Sequence, residues 1–228
     1  MEARERRGPF FLTRLSTRDF EFDGDEYALD ILHAMRLKLV QVGEEVLRQP
    51  ARELSPQEIK STEIQQLIQF MQETLRDAPG VGLAAPQVGV GIQLAIIEDL
   101  PEYSKAMTPE QIAERERKPV PFHVIVNPKL TPVGDEKVEF FEGCLSVNGY
   151  TAMVPRYRQV RVECLDEHGK DRVIGASGWY ARILQHEIDH LNGTVYVDRM
   201  VTRTLMTIEN FTRKWKDVTT AEIRKRLL

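Results

Sequence analysis

The stretch "SGWYARILQHEIDHLNG", residues 177–193, decides how this chain is read. Ser177 can cap a helix start and Gly193 can stop one. Between them Trp179, Ile183, Ile188 and Leu191 mark a helix that is buried rather than solvated. On that helix His186 and His190 lie one turn apart, so both imidazoles can reach a single metal ion. Glu187 stands beside the first histidine and projects toward the metal's open side, where it can take a proton from water that the metal activates. Two histidines and two acids on a buried helix need a reason, and a polar outer face does not supply one.

Two ligands leave such a catalytic site one short. Extended as "HEIDHLNGTVY", the metzincin pattern would require a histidine at 196, where the chain has Tyr196. A gluzincin peptidase would take a glutamate further along, and Glu209 lies at a suitable separation. Its surroundings, "TLMTIENFTRKW", lack the asparagine–glutamate context of that class. Upstream, "FFEGCLSVNGY" offers Cys144 after a glycine, at the end of an apolar stretch. The helix spacing alone does not choose between Glu209 and Cys144.

Composition narrows the setting. The 228 residues, 42% of them hydrophobic, suffice for one domain with extensions. A net charge of −4 gives no reason to expect a nucleic-acid groove, and no apolar run reaches membrane-span length. Cys144 and Cys164 do not make a disulfide framework, so a reducing compartment is expected. The opening residues carry Glu2, Glu5, Asp19 and Glu21, which argues against an organelle presequence. A cytoplasmic protein is the starting expectation.

Residues 1–30 read as a charged, aperiodic arm, followed by a catalytic domain over 31–228. "LKLVQVGEEVLRQPARELSPQE" (37–58) suggests a strand and turns, broken at Gly43 and Pro50. In "STEIQQLIQFMQETLRDAPG" Ile64, Leu67, Ile68, Met71 and Leu75 share one helical face, with Ser61 or Thr62 as cap and Met71 in the core. "VGIQLAIIED" and "HVIVNPKLTPV" read as strands. Between them, residues 99–122 read as a surface insertion whose helix has Thr108 as cap, Pro109 at its first position and Gln111 closing a capping box. "QVRVECLDEHGKDRV" predicts a hairpin with Val160, Val162 and Cys164 inward and a turn at His168–Gly169. Strands mixed with two main helices indicate an α+β fold.

Three segments together, "GVGLAAPQVG" (80–89), "EGCLSV" (142–147) and "QHEIDH" (185–190), resemble the motifs of the peptide deformylase family, in order and over about residues 36–200. The resemblance implies mostly antiparallel sheets around a central HExxH helix, with an additional N-terminal helix. It makes Cys144, His186 and His190 the metal ligands and Glu187 the general base and acid. Gln87 and the backbone N–H of Leu145 become the oxyanion donors. The implied activity removes the N-formyl group from the initiator methionine of nascent peptides, releasing formate. The implied cofactor is one divalent ion, commonly Fe²⁺, with Zn²⁺, Ni²⁺ or Co²⁺ as alternatives. The rival readings are a gluzincin-like endopeptidase using Glu209 and a catalytically silent peptide-binding relative.

Around these residues, Gly80 and Gly82 would let the backbone approach an extended peptide. Val81, Leu145 and Ile183 would line a pocket for the methionine side chain. Glu142 is placed among the substrate-binding residues or as an orienting group for a neighbouring backbone or base. Asp189 is expected to pair with Arg182 or Arg156, and His33, His123 and His168 to be structural or exposed. Asn148 departs from the proline that many deformylases carry. "ASGWYARILQHE" resembles the subgroup with mitochondrial and plant enzymes, which keeps an organelle location open. The tail "FTRKWKDVTTAEIRKRLL" (211–228) holds six basic and two acidic residues, so docking to ribosomal RNA is one expectation and a solvated helix face the other.

Overall fold

The apolar periods translate into a sheet covered on both sides. A computed structural model describes residues 36–228; the arm expected at 1–30 and His33 lie outside the described residues. The helices are α1 (Pro56–Ile59), α2 (Thr62–Asp77), α3 (Pro109–Glu114), α4 (Gly178–Leu191), α5 (Ile208–Lys214) and α6 (Thr220–Leu227). The strands are β1 (Gly82–Ala84), β2 (Leu94–Asp99), β3 (Val120–Pro132), β4 (Lys137–Cys144), β5 (Val147–Tyr157), β6 (Gln159–Leu165), β7 (Asp171–Ser177) and β8 (Met206–Thr207). Among the described residues they form two antiparallel sheets, ordered β1-β2-β3-β6-β7 and β4-β5-β8. The α+β expectation holds. No described helix is long and apolar enough to cross a membrane.

Alternation along β2 explains the layering. Ala95 and Ile97 face one way and pack with Ala181, Ile183, Leu184 and Ile188 of α4. Leu94 and Ile96 face the other way and meet Ile68, Met71 and Leu75 of α2. All six residues of β2 are therefore buried, although antiparallel strands commonly leave one face wet. Met71 is fully buried, as core. Ser61 caps α2 by accepting from the Ile64 N–H at 3.3 Å. In the β6–β7 hairpin Val160, Val162 and Cys164 point inward, and burial pushes the Cys164 thiol up to about 11, so it stays protonated and inert.

Two local expectations change. The strand expected in 37–58 does not form; the segment makes a 3-10 turn at Glu45–Leu47 and isolated bridges, Pro50 with Asn192 and Arg52 with Ile92. Its N–H groups are distributed over several neighbours instead of one ladder: Val40 donates to Gln87, Val42 to Ser146 and Ala51 to Leu191. Ser177 does sit at the N-cap of α4, but its side chain makes no capping bond. The Gly178 and Trp179 N–H groups donate instead to the Arg158 and Arg115 carbonyls, at 2.9 and 2.8 Å.

The second of those bonds gives the 99–122 insertion more than a surface position. Helix α3 has the expected capping box of Thr108 and Gln111 with Pro109 in its first turn. Beyond it, the Arg117 guanidinium grips the buried Asp99 carboxylate at 2.7 and 2.9 Å and lies over the Trp179 ring. The insertion thus braces the start of α4. The fit is tight at Gly178: with φ of 57°, a Cβ there would stand 2.4 Å from Glu116 Cβ and 2.7 Å from the Arg115 carbonyl oxygen. Gly178→Ala is predicted to lower stability by about 2–4 kcal/mol, combining a left-handed backbone with overpacking. Urea unfolding of the two proteins measures it, and an unchanged midpoint would refute the tight contact.

Candidate metal centre

Helix α4 presents His186 and His190 one turn apart, their rings 5.0 Å between centroids. Strand β4 delivers Cys144 opposite them, where its pairing with β5 shifts register between Glu142 and Cys144 before a tight turn to Val147. Cys144 Sγ lies 3.3 Å from His190 Nε2, and one donor atom from each of Cys144, His186 and His190 falls within 4.8 Å of the others. A tetrahedral ion with ordinary metal–sulfur and metal–nitrogen bonds would set sulfur and nitrogen about 3.5 Å apart, so the three groups fit one shared ion. Glu209 is exposed on α5 and outside this cluster. Tyr196, which the metzincin pattern would need as a histidine, is buried with its ring stacked on His186.

A buried charge network fixes the first imidazole. His186 Nδ1 meets Glu142 Oε2 at 2.9 Å, which turns Nε2 toward the sulfur and His190. The same carboxylate accepts from Arg156 Nε and Nη2, both at 2.9 Å, and from Arg182 Nη1 at 2.5 Å. Glu142 is 5% exposed; burial opposes its charge, yet Arg156 and His186 hold it well below the usual carboxylate range. Its oxygens take four hydrogen bonds from three residues, one of them from His186, and the same side chain lines the cleft described below. Arg182 also donates to the Val138 and Val154 carbonyls. Asp189 pairs with Arg156 and Arg199, and not with Arg182.

Titration at the two histidines separates them. Burial disfavours charge on both, but the neighbouring Cys144 and Glu142 raise His186 well above its ordinary value. At His190 burial, with His186 and Arg156 nearby, outweighs the attraction of Glu142 and lowers it well below.

Glu187 is 3% exposed, and its Oε2 finds no hydrogen-bond partner among the described residues. Burial pushes this carboxyl up to about 7. Strand β1 passes directly over it: a Cβ on Gly82 would come within 2.3 Å of Glu187 Oε1. That glycine therefore makes room for the acid as well as for a ligand. Gln87, 1% exposed, accepts from the Ala84 N–H at 2.8 Å through Oε1 and turns Nε2 toward Cys144 Sγ at 3.5 Å. A side-chain carbonyl so anchored leaves its NH2 aimed at the centre.

A cleft of about 740 Å³ opens onto this constellation. Gly80, Val81, Gly82, Gln87, Glu142, Cys144, Leu145, Ile183, His186 and Glu187 all line it, while His190 sits buried behind the sulfur. The fold thus gathers the sequence-predicted residues at one place. Those that sequence reasoning missed include Leu39 and Gln41 from the segment read as a strand, Tyr103 and Arg117 from the insertion, and Ile208 from α5. None carries a local signal, because each reaches the cleft through tertiary packing. His123 bonds the Pro121 carbonyl and the Tyr180 hydroxyl, and His168 is exposed at the hairpin turn; both are away from the cleft.

Residues 36–205 match the polypeptide deformylase family. The chain belongs to that family. It is 46% identical over 172 residues to the chloroplastic peptide deformylase 1A of Solanum lycopersicum, covering 75% of this chain and 62% of that protein. It is 42% identical over 169 residues to the mitochondrial peptide deformylase of Homo sapiens, covering 74% and 69%. A crystal structure of a class I type b peptide deformylase from Acinetobacter baumannii, bound to Met-Ala-Ser, superposes with a TM-score of 0.65 at 32% identity, covering 73% of this chain and 99% of that one. The chain spans less than two thirds of the tomato relative's length. Deformylases of this family are metal-dependent, and the sulfur–imidazole cluster lies inside the matched region.

The raised Glu187 predicts a pH signature in the chelator-stripped protein. The folded carboxyl holds its proton up to about 7 against an ordinary 4.5. Its contribution is therefore fully present below 4.5 and lost as pH rises toward 7. Glu187→Gln removes that loss, so the variant should gain on wild type across this window by up to about 3 kcal/mol. Urea midpoints measured from pH 4.5 to 8 check it; a constant offset between the two proteins would rule out the elevated carboxyl.

Proposed function

We propose that this deformylase-family chain hydrolyses the formyl amide of N-formylmethionyl peptides, releasing formate and a free α-amino group. The observation that carries the reading is a buried Glu187, its Oε2 without a hydrogen-bond partner among the described residues, beside the Cys144–His186–His190 cluster in a cleft sized for a peptide end. Cys144 Sγ and the Nε2 atoms of His186 and His190 would hold the ion. When bound, a divalent metal there lowers the pKa of water and polarises a carbonyl, which neutral water and an unactivated amide both need. The donor set suits Fe²⁺, Zn²⁺, Ni²⁺ and Co²⁺ alike; we assign Fe²⁺ in the cell on the family resemblance.

Each protein group then has one task. Glu187 takes a proton from the attacking water, and its pKa near neutrality lets it give that proton to the departing amine. The carbon–nitrogen bond of the formamide breaks, oxygen stays with formate, and the proton ends on nitrogen. Gln87 Nε2 and the Leu145 N–H donate to the oxyanion, contacts worth roughly 3 kcal/mol per donor. Glu142 keeps His186 in the tautomer that leaves Nε2 free. Val81, Leu145 and Ile183 hold the methionine side chain, while the backbone of 80–82 pairs with the extended peptide.

Partner and compartment follow as part of the same reading. The substrate is a nascent chain, and the basic tail would dock to the ribosome. Three of the tail's six bases are already engaged, Arg224 with Glu139 and Arg226 with Glu222 in ion pairs and Arg213 in a bond to the Asn210 side chain. Removing residues 212–228 should lower ribosome co-sedimentation at low salt; unchanged co-sedimentation would leave the tail a solvated face. Bacterial cytoplasm and an organelle matrix both fit a protein whose relatives bear chloroplastic and mitochondrial names.

One set of variants separates deformylase from endopeptidase. Cys144→Ala should strip the metal and Glu209→Ala should leave it, by elemental analysis after anaerobic purification. Glu187→Gln should keep the metal and lower formate release from a formyl-Met peptide by about 10²-fold or more. The reverse metal pattern would overturn the ligand set, and retained turnover would remove the base.

A further inference from the structure

Three consecutive residues before the first turn reach both backbones that carry the proposed oxyanion donors. The Val40 N–H donates to the Gln87 carbonyl and the Val42 N–H to the Ser146 carbonyl, each at 2.9 Å. Between them Gln41 lays its side-chain amide across the loop that follows Cys144. Its Nε2 donates to the Leu145 carbonyl at 2.9 Å, and its Oε1 accepts from the Asn148 N–H at 3.2 Å. One planar group thus closes both ends of the Leu145–Asn148 turn, from a site more than a hundred residues away in the chain.

We propose that Gln41 is a positioning residue for the hydrolysis: it sets the direction of the Leu145 N–H by holding the turn that bears it. Cys144 is fixed on the other side by its pairing with Val147. With the Leu145 carbonyl held by Gln41, the backbone between has few torsions left through which the N–H can swing. The effect on folding is small by comparison. Gln41 and Asn148 are exposed, and a solvent-facing amide bond contributes little net stability because water competes for both groups. An exposed polar side chain on the rim of the cleft, joined twice to the loop opposite and bearing no core contact, is placed to order a site rather than a fold. The donor it aims must sit within a fraction of an ångström of a developing charge, where misplacement by 1 Å costs roughly hundredfold.

The inference rests on the hydrolytic reading, so its test has one arm that does not use turnover. Gln41→Met keeps the side chain's length and removes both bonds. In the metal-loaded full chain, amide deuterium exchange at Leu145–Asn148 should quicken by roughly fivefold or more, with exchange elsewhere unchanged. The melting temperature should stay within about 2 °C. With a formyl-Met peptide, kcat should fall about tenfold while KM stays within about twofold, the split of a group that acts through the transition state. Unchanged exchange overturns the clamp; quickened exchange with intact kcat overturns its positioning role. A fall in kcat matched by loss of metal or a large drop in melting temperature also overturns it, as a merely structural effect. Wild-type protein that releases no formate would sink the hydrolytic reading instead, and the exchange arm would still decide the clamp.

Discussion

The carboxylate of Glu142 is the contact on which the rest of this structure depends. It sits on β4, takes two donors from Arg156 on β5, one from Arg182 on α4, and turns His186 by its Nδ1. The small sheet meets α4 at that group, beside the Arg156–Asp189 pair and the two bonds between Gln185 and the Tyr157 backbone. Buried ion pairs of this kind add little net stability over apolar packing, because desolvation cancels most of the attraction. They do penalise every arrangement that leaves a charge alone, by roughly 3–5 kcal/mol for a broken pair. The network therefore selects the one docking of β4 on α4 in which Cys144 faces two imidazoles. Arg156 extends it to Asp189, and Arg199 closes it at the surface.

Burial sets the chemistry of the neighbouring acid by the opposite means. Glu142 and Glu187 are both almost inaccessible, yet one is held ionised and the other is pushed up to about 7. The difference lies in partners: two guanidiniums and an imidazole surround the first, and Oε2 of the second has none among the described residues. Two carboxylates with separated affinities for protons give one fixed anchor and one group able to exchange a proton near neutrality. Gly82 belongs to this arrangement, since any side chain there would fill the space the acid occupies.

Much of this was legible where it depended on local period. The α4 face bearing His186 and His190, the apolar stripe of α2 through Met71, and the inward Val160, Val162 and Cys164 all follow from spacing, and each takes the expected place. The α3 capping box was readable too, because Thr108 and Gln111 are three residues apart. The third ligand of the cluster, a sulfur, was not, since spacing on one helix is silent about a residue 42 positions away; the motifs shared with a family supplied it. Asp189 shows the same limit at finer grain. Its charge called for a basic partner, but whether Arg156, Arg182 or Arg199 answered depended on the crossing of β5 with α4. The 37–58 segment failed for a related reason: short apolar runs suggested a strand and turns, while its N–H groups in fact donate to several separate segments, at Thr74, Gln87, Gly91, Asn127, Ser146 and Leu191.

That failure bears on how the site is built. A strand would have bonded its neighbours through a regular ladder, and its side chains would have been free of the loop opposite. An irregular segment can instead place individual groups, Val40 on the Gln87 carbonyl and Gln41 across Leu145 and Asn148, at points no ladder register would reach. The rigid elements thus fix the atoms whose geometry must not vary: one sulfur, two imidazoles and the Glu142 anchor. The aim of a backbone donor in a two-residue turn cannot be fixed by strands that end on either side of it. It requires contact from outside the turn, and the exposed rim at residues 40–42 supplies that contact without disturbing the buried network beneath.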